Sequence, residues 1–436
     1  MSPASVESRS RTLRVEVLAR VEGEGELDLR IKKGVLEDVK LRIPEPPRLF
    51  EAFLRGRSHL ELPDLTARIC GICPVAYQMS SVRAAERAFG ITVSEPVREL
   101  RRLLYCGEWL ESHALHVVML HAPDFLGYES GLHMAKDHPR RVLDGLELKK
   151  IGNDIMTLIG GREIHPVSLR VGGFWRTPSR RELQVLAPRL ERAKELALGL
   201  LRWVKDFTFP EMERDYIFVS CRDETGYPID GGRIVSNHGH AIDAMEFDRV
   251  FAEEHVRHSN ALHSVMTGHG AYLTGPLARY ALNSDRLTPA ASAAAKEAGI
   301  GPEVRNPFKS IIVRAVEMIW AAEEAARIVE TWQEPDEPFA TVTPREGVGA
   351  AATEAPRGLL WHRYTFDGTG LVKDARIVPP TAQNLSTIEA DLRAYATPRV
   401  ALDDATLKWG CEQTVRNHDP CISCATHFLR VNLDRS

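Results

Sequence analysis

Asp419-Pro420-Cys421-Ile422-Ser423-Cys424-Ala425-Thr426-His427 is the stretch on which the reading of this 436-residue chain turns. Two thiols three positions apart can hold one metal as thiolates, and Pro420 stiffens the approach to the first of them. His427 offers a further ligand, to the same metal or to a neighbouring ion. Two sulfurs cannot enclose a metal, so a second pair is expected. Arg68-Ile69-Cys70-Gly71-Ile72-Cys73 supplies it. Chain ends normally fray, so chemistry at 419–427 predicts a segment that is buried and tied down.

The composition fits that reading. Hydrophobic residues make up 44% and charged residues 27%, values typical of a soluble globular chain with a sizeable core. The length allows two or three domains, or one large domain with insertions. A net charge of −4 leaves no basic footprint for nucleic acid or an anionic membrane. No uncharged apolar run approaches the roughly 18 residues of a membrane span. Met1 to Arg11 has no apolar core, so no signal peptide of its own is expected. That does not by itself set the compartment, for which the cytoplasm is the expectation. The cysteines are Cys70, Cys73, Cys106, Cys221, Cys411, Cys421 and Cys424. An odd count with two Cys-x-x-Cys pairs points to metal thiolates in a reducing compartment, not to a disulfide framework.

Periodicity predicts an α+β, mainly helical protein, a central bundle of long helices with small flanking β regions. Residues 1–66 should hold an antiparallel meander over 12–43, with Leu13, Val15, Val17, Leu27, Leu29 and Ile31 alternating, and then a short helix over 49–54. Residues 67–208 carry the first metal motif and the bundle helices: 73–89 closed by Gly90, 94–122, 133–158, and 178–207 kinked at Pro188. Residues 209–304 read as a mixed β and irregular excursion with helices, and 305–340 as a further bundle helix over 307–332. Residues 341–384 form a Gly/Pro-rich β region containing Arg357. The remainder, 385–436, holds C-terminal helices, the second metal motif and a tail.

Four thiolates are soft, strongly donating ligands suited to zinc, iron–sulfur or a late transition metal. Structural zinc knuckles close loops of roughly 12–20 residues, whereas these pairs lie about 350 apart. Iron–sulfur ligands also usually cluster locally. A catalytic metal clamped between distant parts of the chain is the remaining reading.

At this level the sequence resembles the large subunits of nickel–iron hydrogenases. Arg68-x-Cys70-Gly71-x-Cys73 and Asp419-Pro420-Cys421-x-x-Cys424-x-x-His427 resemble that family's paired signatures. Further landmarks occur in the same order: Arg20-Val21-Glu22-Gly23, Phe50-Glu51 with Arg55-Gly56-Arg57, His121-Ala122-Pro123-Asp124, Gly160-Gly161-Arg162-x-x-His165-Pro166, Tyr272 to Arg279, and Glu354-Ala355-Pro356-Arg357-Gly358. The resemblance implies nickel held by Cys70, Cys73, Cys421 and Cys424, with Cys73 and Cys424 bridging to an iron that carries cyanide and carbon monoxide, Fe(CN)2(CO). It implies heterolytic H2 cleavage, with Cys421 as proton acceptor, Glu22 as relay and Arg357 polarising H2 or orienting a base. A guanidinium is too basic to act alone as that base. Asp124 and Asp419 would hold Arg357 in place. Glu51, His427 and the backbone carbonyl of Ile377 would hold Mg2+ on the proton exit route.

One implied partner is an iron–sulfur small subunit. In the cytoplasmic bidirectional NAD(P)-linked, sulfhydrogenase-like branch, flavin and iron–sulfur diaphorase subunits join it. Nickel-insertion proteins and a maturation endopeptidase are also implied, and Phe428–Ser436 is read as the peptide that the endopeptidase removes. Tyr77 stands where many family members have a histidine outside the metal's immediate ligands, so its loss should tune and not abolish the centre, and Tyr77 can still donate a hydrogen bond. Taken singly, Glu22, Arg357, Asp124 and Asp419 could be ordinary surface, salt-bridge or turn residues; the order of the motifs favours function. His113, His116 and His121, and likewise His255, His258 and His263, are assigned to packing and hydrogen bonding. Cys106, Cys221 and Cys411 are read as inert buried thiols. Two rivals remain: a hydrogen-sensing regulatory subunit, separable by slow turnover and a kinase partner, and a quinone-site subunit related to respiratory complex I, which typically lacks the cysteines.

Overall fold

The computed structural model describes residues 10–426. The chain opens with strands β1 (Arg11–Val15), β2 (Glu26–Lys32) and β3 (Val35–Arg42), paired antiparallel in that order. Leu13, Leu27, Leu29, Ile31 and Leu41 fill its inner face. Val17, expected in the alternation, lies beyond β1 and is 73% exposed.

Helices α1 (Phe50–Leu54) and α2 (Leu62–Ala67) lead to α3 (Pro74–Phe89), which starts on Pro74 and ends where Gly90 takes φ +70°. A proline at the first position and a left-handed glycine beyond the last are the end signals read from sequence. Helix α4 (Glu95–Ala114) does not run on as one α-helix to residue 122. It passes into a π-helical turn, Leu115–His121, and then α5 (Ala122–Leu126).

The helix expected over 133–158 is split into α6 (Gly131–Met134) and α7 (Pro139–Gly160), because Pro139 cannot continue a preceding helix and opens a new one. After β4 (Leu169–Arg170) and β5 (Gly173–Phe174), the helix expected over 178–207 is likewise divided. A capping box between Ser179 and Glu182 starts α8 (Arg180–Gln184), and Pro188 sits in the first turn of α9 (Ala187–Val204). Pro188 therefore begins a helix where a kink was expected.

The excursion that follows contains β6 (Val219–Arg222), β7 (Arg233–Ser236) and β8 (Ala241–Ile242) in one small sheet. Helix α10 (Phe247–Val250), the hairpin β9 (Phe251–Glu254) and β10 (His263–Met266), α11 (Pro276–Asn283) and α12 (Pro289–Glu297) complete it. Helix α13 (Ser310–Thr331) returns through the middle of the molecule. Strands β11 (Gly347–Ala355), β12 (Gly358–Phe366) and β13 (Val372–Val378) form an antiparallel meander, followed by α14 (Pro380–Ala396) and α15 (Asp404–Arg416).

The bundle is built from α4, α7, α9 and α13, with α3 laid between α4 and the β11–β12 hairpin. Leu100, Leu103, Leu104, Leu110, Leu190, Ala193, Leu200, Ile311, Val316 and Ile328 all turn into one core. Gly107 and Gly152 let α4 and α7 meet backbone to backbone, since a Cβ on Gly152 would stand 2.7 Å from the amide nitrogen of Glu111. A second core joins the first meander to α14 and α15. No helix among the described residues is long and apolar enough to cross a membrane.

Candidate metal centre

The two Cys-x-x-Cys pairs meet. Cys70 and Cys73 lie in the turn that feeds α3, and Cys421 and Cys424 follow the turn after α15. All four Sγ atoms lie within 4.8 Å of one another, and the residues are only 1–4% exposed. Cys70 Sγ is 3.5 Å from Cys421 Sγ, which is 2.9 Å from Cys424 Sγ. The amides of Ile72 and Cys73 donate to Cys70 Sγ at 3.3 and 3.1 Å, a local nest for negative charge. Burial pushes the Cys70 thiol up, but its sulfur neighbours and the Arg357 guanidinium outweigh burial and bring it well below the usual range. Cys73, Cys421 and Cys424 move the other way, above the usual thiol range, so the negative charge gathers on Cys70 and a soft cation would hold the other three as thiolates.

Each pair is positioned by buried polar contacts. The Glu108 carboxylate, fully buried on α4, accepts the amides of Val75 and Ala76 at 2.6 and 3.1 Å and so fixes the first turn of α3 beside Cys73. Desolvation, helped by Cys70, holds its carboxyl well above the normal range. On the other side, a parallel bridge pairs Glu22 with Cys421, and the Ile422 amide donates to the Glu22 carbonyl at 2.9 Å. Thr381 Oγ1, at the start of α14, accepts the Cys421 amide at 2.9 Å. The Cys421 thiol donates to Glu22 Oε2 at 3.0 Å, and the Ser423 amide reaches the same oxygen at 3.2 Å. Ser423 Oγ in turn donates to Glu45 Oε1 at 3.0 Å.

Arg357 follows the tip between β11 and β12. Its Nε donates to the Asp419 carbonyl at 2.8 Å, and its Nη2 meets Asp419 Oδ1 at 3.2 Å. Burial opposes its charge, but Asp419 and the neighbouring sulfurs of Cys421, Cys73 and Cys70 raise the guanidinium pKa well above its ordinary value. Arg357 Nη1, Asp419 Oδ2 and Tyr77 Oη are buried without a hydrogen-bond partner among the described residues. The Tyr77 ring lies 5.7 Å from that of His362.

Asp124 requires a correction. Its carboxylate takes two bonds from Arg416, at 2.8 and 2.7 Å, and one from Arg20 at 2.6 Å, so it holds those two arginines where Arg357 was expected. Its place one helical turn past the π segment aims it at the end of α15. The effect is still on the site, because Arg416 begins the turn that carries Asp419. His116 Nε2 donates to the Arg416 carbonyl and His121 Nε2 to Asn417 Oδ1, both at 2.9 Å. Burial drives both imidazoles well below their normal pKa, so they serve as neutral donors. Ser310 and Arg314 of α13 add bonds to the Asn417 carbonyl at 2.8 and 3.1 Å.

Glu51 is 9% exposed and accepts the Ile377 amide at 2.8 Å. The contact is thus with the N–H of Ile377, on the residue whose carbonyl was expected nearby. His427 and Phe428–Ser436 lie outside the described residues. Cys106, Cys221 and Cys411 stand apart from the cluster and are fully buried, and desolvation pushes the Cys411 thiol up to about 12.

Sequence reasoning passed over Glu108, Thr381 and the set around Arg279. Arg279 is fully buried and bidentate to Glu317 at 2.9 and 2.9 Å; it also donates to Glu354 Oε2 at 2.9 Å and to the carbonyls of Ala355 and Pro356 at 2.6 and 2.9 Å. It therefore fixes the two residues before Arg357. Its presence in the Tyr272–Arg279 landmark was the only signal.

The family described as "Nickel-dependent hydrogenase" is matched over residues 48–142 and 269–427. This chain belongs to that family. It is 34% identical to the alpha chain of sulfhydrogenase 2 from Pyrococcus furiosus, over 96% of this chain and 100% of that protein. Identity to a chain of the F420-non-reducing hydrogenase of Methanothermobacter thermautotrophicus is 30%, over 96% and 95% of the two chains. In structure it is similar to an NAD+-reducing [NiFe]-hydrogenase in the H2-reduced state, with TM-score 0.87, 26% identity, and coverage of 96% of this chain and 99% of that one. The chain is a catalytic large subunit of the [NiFe] type, an oxidoreductase, with the α+β fold of those subunits. Nickel and iron are its metals, and the donor set fits them: four soft sulfurs, buried, with a cation and unpartnered polar atoms beside them.

Proposed function

We propose that this hydrogenase subunit interconverts H2 with 2 H+ and 2 e− by heterolysis at Cys70, Cys73, Cys421 and Cys424, and passes the electrons through an iron–sulfur partner to NAD(P). The meeting of four sulfurs from two remote motifs carries the reading. When bound, the metal pair, with iron as Fe(CN)2(CO), supplies the electrophile that polarises H2 and accepts its electron pair. Cys70, Cys73, Cys421 and Cys424 would hold nickel, and Cys73 and Cys424 would also hold iron.

The protein's own residues handle the proton. Cys421 Sγ is the first acceptor, and its 3.0 Å contact with Glu22 Oε2 supports Glu22 as the relay. Ser423 and Glu45 continue that chain of polar groups toward the surface, since both are half-buried. Arg357, held charged by Asp419 and the thiolates, orients H2 or the acceptor sulfur and does not itself take the proton. Asp124 acts at one remove, through Arg416, by holding the turn that ends in Asp419. Glu51, with His427 and the Ile377 carbonyl, is assigned to Mg2+, a hard ion that keeps waters and so extends the proton route.

Electrons need a partner. Among the described residues the cysteine cluster is the only group of cysteines arranged to hold a metal, so an iron–sulfur small subunit must take them. Flavin and iron–sulfur diaphorase subunits would pass them to NAD(P), in the cytoplasm, after nickel insertion and endopeptidase processing. Metal analysis and infrared spectroscopy of the co-purified complex test the reading. Nickel and iron in equal amounts beyond the partner's clusters, with bands from bound diatomics, are expected; absence of nickel or of those bands overturns it.

A further inference from the structure

Away from the thiolate cluster, His258, His263 and Glu389 each offer one ligand atom within 4.8 Å of the others. They come from three elements: the turn between β9 and β10, the first residue of β10, and the third turn of α14. We propose that these three side chains form a second metal site, for a divalent ion of the zinc class, which ties α14 to the β9–β10 hairpin.

Two imidazoles and a carboxylate are a donor set that zinc accepts, and three protein ligands leave a fourth position for water. Zn–N and Zn–O bonds of roughly 2.0–2.2 Å require tetrahedral donors about 3.3–3.5 Å apart, within reach of the spacing here by small rotamer adjustments. His258 Nε2 already lies 2.7 Å from Glu389 Oε1, and the two imidazole rings are 5.9 Å apart at 87°.

The carboxylate is also oriented from behind. The Leu41 amide of β3 donates to Glu389 Oε1 at 2.9 Å, the kind of outer contact that fixes a ligand. His263 supplies the observation that an ordinary ion pair does not explain. It is 3% exposed, its Nδ1 faces Ser386 Oγ at 3.3 Å, and its Nε2 is buried with no hydrogen-bond partner among the described residues. An unpartnered imidazole nitrogen costs stability when buried and is satisfied by a metal. His258 and Glu389 are each one-fifth exposed at the side chain, so an ion and its water can enter from solvent. This site contrasts with the hard-ion position assigned to Glu51 and with the all-sulfur cluster, so its ligand chemistry identifies it.

The test uses the full-length chain purified with its companion subunits, equilibrated with zinc sulfate and desalted. Elemental analysis should find one retained zinc per large subunit. X-ray absorption at the zinc edge should show nitrogen and oxygen neighbours at about 2.0–2.1 Å with imidazole scattering and no sulfur shell near 2.3 Å. His258→Ala should weaken zinc retention by at least about tenfold. Glu389→Gln, which keeps an oxygen for the Leu41 amide, should do the same, and unchanged nickel and iron contents show that each variant is folded. Zinc bound only by sulfur, no retained zinc, or retention in both variants as tight as in the unsubstituted protein would overturn the proposal. None of these readouts depends on hydrogen turnover.

Discussion

Replacing Arg279 by lysine keeps the charge but removes the fork. The guanidinium makes five bonds at 2.6–2.9 Å to two carboxylates and two carbonyls, and stacks 4.3 Å from the ring centre of Trp109. An ammonium has three donors, so at least two of the five bonds to these fully buried acceptors are lost. Charged hydrogen bonds contribute about 1.5–3 kcal/mol each, and breaking a buried ion network costs about 3–5 kcal/mol, so we expect Arg279→Lys to destabilise by about 3–5 kcal/mol. Unfolding entropy of roughly 2.1 cal/mol/K per residue over 436 residues turns that into a melting point lower by about 3–5 °C. Calorimetric melting at one scan rate and pH 7 reads it, with Arg249→Lys, 79% exposed at the side chain, as a control that should not shift. Hydrogen turnover should drop as well, with nickel content intact, because the carbonyls of Ala355 and Pro356 lose the group that fixes the approach to Arg357. An unshifted melting curve together with full turnover would refute the idea that Arg279 holds this corner.

Four other outcomes are expected. Burial raises the Glu317 carboxyl but Arg279 and His113 outweigh it and pull it down to about 2, so its stabilisation is present above its normal 4.5 and fades as pH falls through 2. Glu317→Gln should therefore cost most near neutrality and progressively less in acid, visible in melts taken across that range. Cys70→Ser or Cys421→Ser should abolish nickel retention by elemental analysis while circular dichroism keeps its helical signal. Glu22→Gln should slow hydrogen–deuterium exchange by about 10²–10⁴-fold with the metal content unchanged. Gly152→Ala forces α4 and α7 apart and should cost about 1–3 kcal/mol in a denaturant titration.

Much of this protein can be read from its residues, and the gaps have physical causes. Pro74 and Gly90 bound α3 as local rules demand, because proline and a left-handed glycine act over one or two residues. Pro139 and Pro188 were misread for the complementary reason: the apolar stripe continues across each, and only the chain path decides between a kink and a fresh start. The cysteine pairs announced themselves by spacing and chemistry. Glu108 and Thr381 did not, since a buried carboxylate or hydroxyl that accepts a backbone amide leaves no periodic trace. Asp124 was singled out as a partner of Arg357 but its carboxylate meets Arg416 and Arg20, because motif order carries no distances. His258 and His263 looked like packing histidines until Glu389, more than a hundred residues on, came to lie beside them.

The π turn at Leu115–His121 has a consequence of its own. Side chains five apart diverge around an ordinary α-helix but line up on this wider coil, and the rings of His116 and His121 do lie 5.0 Å apart. Excising one residue there would let the rod rewind to the common pitch with its two flanking parts still nearly collinear. One imidazole would then swing off its partner, the Arg416 carbonyl for His116 or the Asn417 side chain for His121, and the chain leading into Cys421 would be gripped by a single ring in place of two.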